Sequence, residues 1–193
     1  MARKKEFDQN KVLEKAMQTF WHQGYEATSI QNLVETMGIN RGSLYDTFQD
    51  KHTLFLSAIA HYNETVMTEA IARLEAPDAS KQAIIDHFYG LVERTQADPL
   101  RRGCLLTNAA VELCAQDSAL ASRISTSLQR VEDAFCQVLI RARQKGELTQ
   151  AHDPRALARY LTCSIQGLRV ISKVNPDLEA LRDIVKLMLS VLE

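Results

Sequence analysis

Between residues 28 and 51 stand side chains suited to a polyanion. They are the hydroxyls of Thr28, Ser29, Ser43 and Tyr45, the guanidinium of Arg41 and the ammonium of Lys51, with Asn40 and the bare backbone of Gly42 among them. Hydroxyls donate to phosphate oxygens, a guanidinium reads guanine or clamps phosphate with two bonds, and a glycine lets the backbone approach closely. A second chemical candidate is Cys104. It follows Arg101, Arg102 and Gly103, and nearby cations together with a helix N-terminus favour a thiolate. The competing reading of Cys104 is packing, because a free cysteine behaves as a small hydrophobe.

Other chemistries find no residues. Cys104, Cys114, Cys136 and Cys163 are too widely spaced for a CxxC pair or a short metal clip. His61, His87 and His152 have no partner at i+4, and no ExxH or HxxxH occurs, so no metal site is expected. GxSxG, HExxH, P-loop and GxGxxG motifs are absent, so no catalytic residue and no cofactor is assigned. With 23 Lys+Arg against 24 Asp+Glu, the formal charge is −1, and any nucleic-acid contact must come from placed residues. No apolar run reaches the roughly 18 to 20 residues of a membrane span, and MARKKEFDQNK is charged where a signal peptide is apolar. The expectation is a cytoplasmic protein with no membrane partner.

Helical spacing positions these groups. Val12, Leu13, Ala16, Met17 and Phe20 make one face behind an Asp8 cap and stop at Gly24. Ile30, Leu33, Val34 and Met37 make a second face after Thr28 and Ser29, ending at Gly38. Leu44 and Phe48 place a third short helix over 41–48, and Asp50 caps a longer one carrying Leu54, Phe55, Ala58, Ile59, Tyr62 and Val66. Two short helices joined by so tight a turn form a helix-turn-helix. After Pro77, long helices are expected over 79–96, 104–115, 118–144, 154–173 and 177–192, broken at Asp98-Pro99, Gly146, Asp153-Pro154 and Asn175-Pro176-Asp177. The fold class is all-α.

Residues 20–55, FWHQGYEATSIQNLVETMGINRGSLYDTFQDKHTLF, resemble the TetR family of transcriptional regulators. The matching positions are Phe20, Gly24, Tyr25, Thr28, Ile30, Leu33, Gly38, Ile39, Gly42, Ser43, Leu44, Tyr45, Phe48, Lys51 and Leu54 at unchanged spacing. The resemblance implies a three-helix DNA-binding domain at 6–66, with its helix-turn-helix at about 29–48. This is continuous with a helical bundle at 67–193 for effector binding and dimerisation. It assigns DNA contact to Thr28, Arg41, Gly42, Ser43, Tyr45 and Lys51, to which the local reading adds Ser29 and Asn40. Thr28 and Ser29 serve equally as N-caps. Asp46 and Thr47 depart from the family pattern, where many relatives carry backbone-contacting residues. Arg3, Lys4 and Lys5 suit either a minor-groove arm or a solubilising tail.

The implied function is that of a homodimeric repressor on a palindromic double-stranded DNA operator, released by a small-molecule effector or by thiol modification. The dimer bundle is assigned to 154–192, on Leu157, Tyr160, Leu161, Ile165, Leu168, Leu181, Ile184, Val185, Met188 and Val191, with Ala158, Ser164 and Gly167 permitting close approach. The competing reading is that these faces complete the protomer's own core. Candidate effector contacts are His87, Phe88, Cys104, Asn108 and Gln166, where polar groups interrupt apolar faces. Two rival readings stand beside this one. They are a ligand-binding protein with a vestigial helix-turn-helix, and a cysteine-dependent enzyme built on Cys104.

Overall fold

The computed structural model describes residues 7–149 and 152–193, and among them there are helices and turns but no strand. Each of the first four helices starts on a side chain that answers an otherwise unpaired N–H. Asp8 accepts from Asn10 and Lys11 at 3.0 and 3.3 Å and opens α1 (Gln9–Gln23). Ser29 and Asn32 cap each other's N–H reciprocally at the start of α2 (Ile30–Met37). Asn40 accepts from the Ser43 N–H at 2.8 Å and opens α3 (Arg41–Phe48), and Asp50 accepts from Thr53 at 2.7 Å and opens α4 (Lys51–Tyr62).

Beyond Tyr62 the helix widens into a π turn, Asn63–Met67, before α5 (Thr68–Glu75). A plain α-helical repeat would bury Val66, four residues after Tyr62. The structure buries Met67 and leaves Val66 half-exposed, because the π turn inserts one extra residue into the repeat. The remaining helices are α6 (Lys81–Ala97), α7 (Leu105–Leu113), α8 (Ser118–Gln144), α9 (Pro154–Val174) and α10 (Leu178–Leu189), with a 3₁₀ turn at Ser190–Leu192. Asp153 and Asp177 cap α9 and α10 by accepting from Ala156 and Ala180, each at 2.8 Å.

By packing, the chain forms two compact units. The first comprises the residues up to Val66 together with Leu105–Ala121, and the second comprises Met67–Cys104 with Ser122–Glu193. A division at 66/67 alone does not capture this packing. In the first unit, Val12, Ala16, Met17 and Phe20 of α1 are buried with Leu33 and Met37 of α2, Leu44 and Phe48 of α3, and Leu54, Phe55 and Ile59 of α4. Phe20 meets Phe55 edge-on at 4.9 Å, and Trp21 meets Tyr62 edge-on at 5.0 Å. Burying a ring as fully as Phe20 or Phe55 contributes roughly 1.5 to 3 kcal/mol. His61 and Glu14 tie α4 to α1 at 2.8 Å.

The second unit is built on Ile84, Phe88, Leu91 and Val92 of α6, Phe135, Val138 and Leu139 of α8, and the inner faces of α9 and α10. Leu157, Leu161, Ile165, Leu168, Leu181 and Val185 are buried within the protomer, so most of the face assigned to dimerisation completes this core. The outward face of α9 carries Tyr160, Cys163, Gly167, Val170, Ile171 and Val174, and α10 exposes Leu187.

Candidate nucleic-acid interface

Three residues, Gly38, Ile39 and Asn40, separate α2 from α3. Gly38 takes the left-handed conformation (φ +71°, ψ +34°) while its N–H still donates to Val34, so the chain turns within a single residue. Leu44 and Phe48 anchor α3 inward. That fixes the opposite face, on which Arg41, Gly42, Tyr45 and Asp46 are exposed, with Ser43 and Thr47 half-buried at its edge. Tyr45 is 45% exposed, so part of its side chain is open to a partner.

Ser29 is exposed at the N-terminus of α2. Thr28 differs. It is wholly buried and its hydroxyl donates to the Gly24 carbonyl at 2.6 Å, so the expected phosphate contact by its side chain is corrected. Adjacent hydroxyls compete for one cap, and the reciprocal bond with Asn32 gives that place to Ser29. Asn40 spends its side-chain oxygen on the Ser43 N–H as the α3 cap.

Lys51 begins α4 with its ammonium 4.2 Å from the centroid of the Tyr25 ring. Burial holds the Tyr25 phenol above its ordinary pKa, helped by Glu26, Asp50 and Asp117, so it remains a neutral donor. The Thr53 N–H holds the Asp50 carboxyl below its ordinary value, keeping the α4 cap ionised. Two acids that sequence reasoning missed meet this region. Glu112 accepts from the backbone N–H groups of Tyr25 and Glu26, and Asp117 lies 3.4 Å from His52. Nothing in the local pattern announces them, since the Glu112 contact spans 87 positions. Arg3, Lys4 and Lys5 lie outside the described residues.

The five expected effector contacts are not brought together into an open site. His87, Phe88 and Cys104 are buried in the second unit, where the His87 ring stands 5.6 Å from Phe135 and 6.3 Å from Phe88. Desolvation, then Arg94 and Arg169, push His87 down to about 3, so it is a neutral core histidine. Gln166 is half-buried and donates to the Thr162 carbonyl, and Asn108 is half-buried in the first unit. A groove of about 620 Å³ lies elsewhere in the second unit, against Leu74, Glu75, Ser125, Arg130, Ala134 and Arg141, and none of the five lines it. Cys104 is 3% exposed and Arg102 beside it donates to Asp98 at 3.2 Å, which agrees with the packing reading of this thiol. The exposed cysteine is Cys163. Among the described residues no group of His, Cys, Asp and Glu could hold a metal ion, and no helix is long and apolar enough to cross a membrane.

The family model for bacterial regulatory proteins, tetR family, matches residues 12–58, and that for the tetracyclin repressor-like C-terminal domain matches 70–188. The chain belongs to the TetR family. It is 42% identical over 194 residues to an uncharacterised HTH-type transcriptional regulator, YezE, of Bacillus subtilis (strain 168), with 100% of both chains covered. It is 30% identical over 183 residues to the HTH-type transcriptional repressor ComR of Escherichia coli (strain K12), covering 94% of this chain and 87% of ComR. A solved TetR family regulator, a cysteine mutant of CifR complexed with 26-bp double-strand operator DNA, matches with a TM-score of 0.86 and 29% identity over 99% of this chain and 100% of that one. Reduced NemR of E. coli, at 16% identity and a TM-score of 0.85, shows the shared fold alone. This TetR-family chain is thus a DNA-binding transcriptional regulator and not an enzyme, which removes the cysteine-enzyme reading.

Proposed function

We propose that the protein is a homodimeric repressor that reads a palindromic operator with α3. The observation that carries this is the exposed face of α3, Arg41, Gly42, Tyr45 and Asp46, held outward by buried Leu44 and Phe48. Arg41 reads a guanine edge or grips phosphate, Gly42 admits the backbone, and the Tyr45 hydroxyl donates to phosphate. The N-terminal end of α2, where Ser29 is exposed, and Lys51 at the start of α4 hold the flanking phosphates. Ser43 and Asn40 set the entry of α3 into the groove. A second copy is supported by the outward face of α9, where Val174 is 79% exposed, and by Leu187 of α10, 73% exposed.

Release by a small effector rather than by modification of Cys104 is supported by the burial of that thiol and by a groove whose volume falls within the usual range of ligand sites. An effector lowers DNA affinity only by the margin with which it prefers the non-binding conformation.

The test is selection of duplexes from sheared source-organism DNA at about 0.15 M salt, with Tyr45→Ala in parallel. Recovery of one palindromic site by the native protein alone is the expected result. Equal recovery by Tyr45→Ala overturns the assignment of α3. On the recovered duplex, Arg41→Ala should cost roughly 1 to 3 kcal/mol and alter base preference at one position. Equal losses on random duplex would reduce Arg41 to a phosphate contact.

A further inference from the structure

The two carboxylate oxygens of Glu112, on α7, each accept one backbone N–H, from Tyr25 at 3.0 Å and from Glu26 at 2.8 Å. Consecutive N–H groups aimed at one carboxylate form an anion seat, and such charge-assisted bonds are roughly twice as strong as neutral ones. The seat is close-fitting. Gly24 beside it has φ +85°, and a Cβ there would stand 3.1 Å from the same carboxylate. Further along, Asp117 approaches the Nε2 of His52 at 3.4 Å with one oxygen, while the other accepts from the Leu120 N–H at 2.9 Å and caps α8.

Tyr25 and His52 lie just outside the two ends of the α2–α3 pair. Their rings meet edge-on at 6.2 Å, and the Lys51 ammonium sits over Tyr25. Two acids therefore hold one cluster that flanks the helix-turn-helix on both sides. Both acids come from the part of the chain matched by the C-terminal family model, yet they pack within the first unit.

We infer that Glu112 and Asp117 are positioning residues for DNA binding: they fix the approach to α2 and the start of α4, and so set how α3 is presented. This rests on the reading of α3 as the recognition helix. A purely structural role would stabilise the unit without changing the choice between sequences. A positioning role changes that choice.

The full-length chain carries the test as Glu112→Gln and Asp117→Asn. Glutamine keeps the shape and one acceptor but turns an NH₂ toward the second N–H. Asparagine keeps the α8 cap and removes the charge facing His52. Affinity is read on the duplex recovered by the native protein and on a random duplex of equal length, and amide hydrogen exchange is followed in parallel. Each variant should lose about tenfold on the selected duplex, within the usual range of coupling between sites. The ratio of selected to random binding should fall, while exchange quickens from Tyr25 through α2 and α3 and is unchanged in α9. Unaltered affinity, or equal losses on both duplexes, overturns the inference. Should the native protein select no duplex, the DNA-reading assignment fails and the inference that rests on it falls with it; unaltered affinity on a duplex that the native protein does select overturns the inference alone.

Discussion

Helices α1 to α4 begin on Asp8, Ser29, Asn40 and Asp50, each accepting from its own first turn, whereas α5 and α6 begin on Met67 and Ser80 with no such bond. The first turn of α6 is answered instead by Glu147, which accepts from the Lys81 N–H at 3.0 Å from 66 positions away. Arg141 of α8 donates to the carbonyls of Leu74 and Ala79 at 2.9 and 2.8 Å, satisfying the end of α5 and the loop after it. Helices α1 to α4 carry the instructions for their own starts. The α5–α6 region takes its instructions from α8 and the residues after it, so a displacement of α8 is felt there first. That region also borders the open groove.

The largest effect that can test this contrast is loss of a core ring. Phe20 and Phe135 are wholly buried, one in each unit, and either change to alanine should cost about 3 to 5 kcal/mol. Trp21, the one tryptophan, reports on the first unit, and far-ultraviolet dichroism reports on all helices. Under urea, Phe135→Ala should shift the dichroism midpoint more than the fluorescence midpoint. Coincident curves would show one cooperative body and erase the distinction.

Arg141→Met removes the distant caps while keeping much of the side-chain stem, and should cost roughly 1.5 to 3 kcal/mol. Hydrogen exchange should quicken in α5 and not in α1. Equal quickening in both would mean that α5 does not depend on α8 for its end.

Acid distinguishes the units next. His87 has its folded pKa lowered to about 3 from 6.5, by desolvation first and then by Arg94 and Arg169. The unfolded chain therefore binds the proton first, and the stability held by neutral His87 is complete above pH 6.5. It declines as pH falls from there toward 3, by at most about 1.4 kcal/mol per pH unit. His87→Phe should flatten the decline between pH 6.5 and 4 in urea titrations. An unchanged slope would place the acid sensitivity elsewhere.

The smallest pair concerns the caps themselves. Asn40→Ala should cost about 1 kcal/mol and Ser80→Ala only a few tenths, since only Asn40 makes the cap bond. Equal costs would deny that α6 is capped from a distance.

What was legible in the sequence followed from contacts within a turn or two. The caps at Asp8 and Asp50, the stop at Gly38, the inward pair Leu44 and Phe48, and Pro154 after Asp153 all depend on near neighbours and are as expected, whereas Asn40, read only as a DNA contact, also caps α3. Thr28 was misjudged because two hydroxyls compete for one cap, and only the partner at Asn32 decides between them. The π turn that buries Met67 rather than Val66 is set by packing, not by local preference, so a fixed period of 3.6 misplaces the face. The seat at Glu112 and the inward burial of Cys104 are tertiary facts. The first joins residues far apart, and the second depends on how the loop before α7 packs into the second unit.

Asp46 sits on the same exposed face of α3 as Arg41 and Tyr45, in a chain whose formal charge is −1. An acid there repels every phosphate it passes, so random DNA offers this surface little general attraction.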